Sequence, residues 1–281
     1  MKADGDVGDL TKKMENITTS IPGEAGGPIV YSNEELDAIR KVRTQLIDVN
    51  KIDANRIGLK LLALTTIISK LRVEEAAKKY VLYLNAVENC GIPNLRDDVV
   101  LELTPSELGV GVHSYALCGR DEAGRSIQWV KGPTVPHPVE IEADIVKCAI
   151  MYHTAIHADA VSLRNGISFV IDTSNNTKRP ANQKKLQKTW QSMPMRPQCI
   201  LVAGSSSLTR LVINALITTA SLFTKQKVLD RIKFVSVEDA IAEFPKESTP
   251  TYVGGGGGGN DVVDIVTWTI ERLEGFPLPI L

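Results

Sequence analysis

Residues 166–172 read GISFVID and residues 199–204 read CILVAG. Both are short runs of β-branched, aliphatic and aromatic residues, and glycine bounds each of them on one side. Apolarity that is continuous rather than alternating marks a strand covered on both faces. SIQWV (126–130) and IKFVSV (232–237) have the same character. Helical patterns lie between them at 138–157, 181–192 and 208–224, and one more, 260–273, follows the last. Strands alternating with helices imply an α/β fold with a mixed, largely parallel sheet and flanking helices. No internal repeat is visible.

The chain upstream reads differently. Residues 1–32 are polar and rich in Gly, Asp and Thr, a composition expected of a disordered tail. Ser32 then opens SNEELDAIRKVRTQLIDV with a capping side chain, acids in the first turn and apolar Leu36, Ile39, Val42 and Leu46 near helical spacing. A second helix is expected over 56–69 and a third over 73–89, where Gly91 and Pro93 stop it. The expected organisation is a tail (1–32), a helical module (33–100), an α/β domain (101–255), and a Gly-rich spacer with a C-terminal helix (256–281).

The 281 residues carry 32 Lys plus Arg against 33 Asp plus Glu, so no global field draws in nucleic acid. Four cysteines at 90, 118, 148 and 199 contain no CxxC pair, which excludes a zinc knuckle and points to reduced thiols in a cytoplasmic protein. The N-terminus has no apolar core of a signal peptide.

Sites of chemistry are scarce. Gly254–Gly259, between an expected strand, PTYV (250–253), and a helix starting near Asn260, satisfies GxGxxG, but six glycines satisfy any glycine pattern, and no second strand follows to build a nucleotide unit. His153 and His157 have i, i+4 spacing without the glutamate of a zincin, so a polar helix face is expected and no metal. Asp172 ends a strand, where a turn role is commoner than catalysis. The basic segment 178–188 has one aromatic neighbour, Trp190, and reads as a solvated face. LTRLVINALITTASLF (208–223) is apolar on almost every side. As a helix, its charge-free span from Leu211 to Thr224 would reach roughly 21 Å, too short for a bilayer. Lys225, Lys227, Arg231 and Lys233 follow it, which suits contact with an anionic membrane surface.

Several segments together resemble one family, the CRAL-TRIO lipid-binding proteins. PMRPQCILVAG is similar to its proline-bearing approach to a core strand. LFTKQKVLDRIKFVS resembles its apolar gate and the strand after it, and VEDAIAEFPKESTPTYVGG its closing helix, turn and Gly-Gly. RDEAGRSIQWVKG resembles its Asp-x-x-Gly-Arg turn and first strand, with Ser126 where the family has proline. KLRVEEAAKKYVLYL is similar to its N-terminal helical module. The resemblance spans roughly residues 33–255.

It implies an apolar pocket and the non-enzymatic, cofactor-free binding and intermembrane transfer of one hydrophobic small molecule or phospholipid, by a monomer that meets membranes transiently. The pocket floor would include Phe169, Ile171, Leu201 and Ala203. Leu211, Leu216, Ile217 and Phe223 would form the lid, and Lys70 and Arg231 would meet a headgroup phosphate. Met195 stands where inositol-lipid binders carry an acid, so no strong inositol preference is expected. Two alternatives are a degenerate scaffold of the same type that binds protein partners, and an enzyme that holds a nucleotide on the Gly-rich loop.

Overall fold

The computed structural model describes residues 26–91, 115–131, 142–174, 192–205, 230–256 and 262–281. Its first helix, α1 (Asn33–Thr44), begins at a reciprocal cap. The Glu35 N–H donates to Ser32 Oγ at 3.1 Å, and the Ser32 N–H donates to Glu35 Oε2 at 2.9 Å. A π turn (Gln45–Val49) ends this helix.

Helix α2 (Leu59–Ile68) is buried from Leu61 to Ile68 on all sides. Its two threonines are tolerated there because Thr65 and Thr66 donate to the Leu61 and Leu62 carbonyls at 2.7 Å. Lys70 and Leu71 both take left-handed backbone (φ 57° and 59°), which swings the chain into α3 (Val73–Glu88). Ile39, Val42, Leu46, Leu62, Tyr80 and Leu84 form the core that joins the three helices.

Among the described residues, five strands follow: β1 (Tyr115–Ala116), β2 (Ile127–Lys131), β3 (Ile167–Asp172), β4 (Pro197–Ala203) and β5 (Ile232–Val235). They lie side by side in chain order. β1 is antiparallel to β2, and every other pair is parallel. The expected class, a largely parallel α/β sheet behind a helical module, is the one the chain adopts. Helices α4 (Glu142–Ile156) and α5 (Ala160–Asn165) fall between β2 and β3, and α6 (Val237–Ala242) follows β5. Among the described residues, no helix is long and apolar enough to cross a membrane.

The last helix, α7 (Val262–Glu274), packs against α4 through Ile265, Val266 and Leu273. The chain then reaches the helical module, where Phe276 enters the core and Tyr31 Oη donates to the Pro277 carbonyl at 2.8 Å. The C-terminal segment therefore contacts both parts of the molecule.

Three expectations change. Residues 26–32, expected within the tail, are tied down: Ile29 is buried, and the Val30 carbonyl accepts from Arg164 at 2.7 Å. PTYV is not a strand. Thr251–Val253 is a 3₁₀ turn that ends in left-handed Gly254, so proline and glycine punctuation outweighs the β-prone Tyr and Val. α2 starts at Leu59, because Asp53 caps a separate 3₁₀ turn, Ala54–Arg56, before it. Residues 1–25 and the expected helices at 181–192 and 208–224 lie outside the described residues.

Candidate functional site

Register decides which side chains share a face of the sheet. Phe169 pairs with Gln128 and Ile200, and Ile200 with Ile232. One step along, Ile171 pairs with Val130 and Val202, and Val202 with Phe234. Paired residues in parallel strands lie on the same face, so two rows of four cross the sheet. Gln128 is the only non-hydrocarbon side chain of these eight. Ile200, Val202 and Gln128 are buried, but Val130, Phe169, Ile171, Ile232 and Phe234 are only half-buried. Tyr115 extends the second row across β1, stacked on Tyr152 of α4 with ring centroids 4.2 Å apart.

The opposite face is closed. Trp129, Val170, Leu201 and Ala203 pack there under Ala240 and Phe244, and Trp129 and Ala203 are fully buried. Of the four expected floor residues, then, Phe169 and Ile171 share one face and Leu201 and Ala203 occupy the other. They do not line one surface. The period of two along a strand separates them: Ile200 and Val202 are the β4 residues beside Phe169 and Ile171. The expected lid residues Leu211, Leu216, Ile217 and Phe223 lie outside the described residues.

The expected headgroup cations sit on different parts of the fold. Lys70 is exposed at the end of α2. Arg231, at the start of β5, donates to the Pro197 carbonyl at 2.8 Å. Met195 is half-buried and packs against the core of the helical module.

His153 and His157 are not a solvated helix face. Both are buried. Gln128 Nε2 donates to His153 Nδ1 at 3.0 Å. His157 Nδ1 donates to the His153 carbonyl at 2.7 Å, the only role a ring nitrogen can take toward a carbonyl. Burial, with His157 nearby, pushes His153 down to about 3. Burial likewise pushes His157 down to about 4, against the opposing pull of its backbone bond and of Asp159. Both rings are neutral at pH 7.

A charged hub that the sequence reading missed lies below this layer. Asp159 caps α5, accepting from the Val161 and Ser162 N–H groups at 3.0 and 2.8 Å. Arg120 reaches its Oδ1 at 3.2 Å and Arg272 its Oδ2 at 2.9 Å. Burial alone would raise this carboxyl; the Ser162 bonds and the two guanidiniums outweigh burial and hold it below the usual range. The Asp-x-x-Ser spacing at 159–162 is a legible cap signal, but nothing local announces the two arginines.

Asp172 is a turn residue, accepting from the Ser174 N–H at 2.9 Å, from Ser174 Oγ at 2.6 Å and from Tyr252 Oη at 3.0 Å. The start of the glycine run is also committed to structure. The N–H groups of Gly254, Gly255 and Gly256 donate to the carbonyls of Thr251, Pro250 and Lys246 at 3.0, 3.0 and 2.8 Å. A phosphate cradle needs such donors unspent.

The fold and this face define an α/β scaffold with a half-open apolar floor behind a helical module. No family model matches the chain. It is similar to tyrosine-protein phosphatase non-receptor type 9 of mouse, 26% identical over 213 residues, a match covering 70% of this chain and 34% of the relative. The rat protein of that name matches with the same identity and coverage. The chain thus spans about a third of the length of these curated relatives.

Proposed function

We propose that the protein binds one hydrophobic molecule on the Phe169–Ile171 face of the sheet, carries it between membranes, and does no covalent chemistry on it. The observation that carries this reading is the pair of apolar rows. Their Phe169 and Ile171 belong to β3, the central strand, yet are only half-buried. Interior strands normally bury both faces, because each exposed methylene forgoes about 0.8 kcal/mol. A bound acyl or isoprenoid chain would recover that energy, and the same arithmetic makes an enclosed lipid cheaper to move through water than a bare one. The resemblance of PMRPQCILVAG, RDEAGRSIQWVKG and LFTKQKVLDRIKFVS to CRAL-TRIO segments supports the same reading, with a cytoplasmic setting and transient membrane contact as parts of the proposal.

The test is native mass spectrometry of gently purified protein, followed by transfer of fluorescent phosphatidylcholine between vesicles. A stoichiometric co-purifying lipid, or protein-dependent transfer, is the expected result. Neither lipid retention nor transfer, in a folded protein, would leave the scaffold as a docking module for proteins.

A further inference from the structure

The apolar floor contains one polar side chain, and that side chain is not satisfied. Gln128 is fully buried on the face shared with Phe169. Its Nε2 is spent on His153 Nδ1, which must accept and so places the His153 proton on Nε2. Its Oε1 is buried with no hydrogen-bond partner. A second orphan acceptor lies four residues on from His153, just past the end of α4. His157 donates through Nδ1, which leaves a bare Nε2 that is likewise buried without a partner. A buried unpaired acceptor is destabilising, so a binding protein gains by keeping one only if something else fills it.

We propose that Gln128 Oε1 is the ligand anchor of this floor, and that the ligand class is a long-chain apolar molecule carrying an uncharged hydroxyl. This rests on the apolar face being the binding surface. The chemistry follows from what surrounds the acceptor. An amide oxygen accepts from a hydroxyl but repels a phosphate oxygen. The two adjacent imidazoles are neutral and offer no cation. Asp159, whose charge is felt at His157, is committed to Arg120 and Arg272. The aromatic edge supplied by Tyr115, Tyr152 and His153 gives the hydroxyl end of a ligand a flat apolar wall. A site that pairs a buried acceptor with a ligand hydroxyl also rejects the analogue lacking it, because the acceptor is then left dry and unpaired.

The test compares two probes that differ in that one proton, 1-hexadecanol and its methyl ether, by competition against a fluorescent apolar probe on the wild-type protein. Phosphatidylcholine extraction from vesicles is measured in parallel. The expected result is at least tenfold tighter binding of the alcohol, with Gln128→Leu erasing the difference while keeping the ether's affinity. Equal affinity for alcohol and ether overturns the anchor and leaves the pocket standing. Extraction of phosphatidylcholine without binding of either probe does the same. Failure of all three overturns the anchor together with the pocket. The wild-type comparison decides even where Gln128→Leu does not fold.

Discussion

Arg272, in the last turn of α7, places its Nη2 2.9 Å from the Asp159 carboxylate, 113 residues earlier in the chain. The same carboxylate caps α5 and holds Arg120, which belongs to the turn before β2 and also donates to the Gly124 carbonyl at 2.8 Å. One buried side chain thus joins the sheet's entry turn, α5 and the C-terminal helix.

Asp159→Ala is therefore expected to cost about 3–5 kcal/mol, since it leaves two partly buried guanidiniums without their counter-charge and removes a cap. Asp159→Asn should cost less, because an amide oxygen keeps the cap. Urea denaturation of the three proteins checks the order. A loss under 1 kcal/mol for the alanine variant would show that the hub is peripheral to stability.

The pH dependence has a definite sign. A histidine held below its unfolded value of about 6.5 binds fewer protons folded than unfolded, so stability falls as pH falls from there toward the folded value. For His157 the window runs down to about 4 and for His153 to about 3. Inside it each ring removes about 1.4 kcal/mol per pH unit. The depressed carboxyls of Asp159 and Glu35 act in the same direction at lower pH. Stability at pH 5 should lie well below that at pH 7. His157→Asn, which keeps a donor near the Nδ1 position, should flatten the slope. An unchanged slope would place both rings in contact with water.

The glycine run divides between positions. A Cβ on Gly255 would sit 2.3 Å from the Thr249 carbonyl oxygen, a backbone atom that cannot turn away. On Gly256 the nearest heavy atom, the Glu247 Cα, is at an ordinary 3.4 Å. Gly255→Ala should lower the melting temperature by several degrees, and Gly256→Ala should leave it within about 2 °C. Equal effects would refute this placement of the turn.

Much of the architecture was legible because strand and helix patterns in GISFVID, CILVAG and the segments between them agree with the tertiary outcome. Which face each strand residue takes was not. CILVAG is apolar throughout, so nothing in it distinguishes Leu201 from Val202; the pairing of Phe169 with Ile200 does. Nor does YHTAIH announce burial, because the residue that satisfies His153, Gln128, stands 25 positions away on another element. The tail boundary was misjudged for a similar reason: GEAGGPIV is polar and flexible in composition, yet Val30 and Ile29 find partners on α5 and in the helical core.

On the proposed lipid-binding reading, Met195, which packs against the helical core, offers no acid to an inositol ring. We expect less than a tenfold preference for phosphatidylinositol over phosphatidylcholine in competition. A larger preference, above about 1.4 kcal/mol, would require polar contacts of another origin.

The two faces of the sheet give the sharpest test of where a ligand lies. Ile171 and Ala203 are on adjacent strands but point to opposite sides, because Ile171 is registered with Val202 and Ala203 with Asp172. Ala203 is fully buried among Trp129, Val170 and Leu201, with no room for a larger side chain. Ala203→Trp overpacks that cluster and should cost about 3 kcal/mol or more, seen as a loss of cooperative unfolding or a large fall in melting temperature. Ile171 is half-buried on the other side. A tryptophan there takes space that a ligand chain would take, so Ile171→Trp should keep the melting temperature of lipid-free protein within about 2 °C while the co-purifying lipid falls at least severalfold. The contrast separates floor from core within one strand pair. If Ile171→Trp unfolds the protein as Ala203→Trp does, both faces are packed core and the ligand must lie elsewhere.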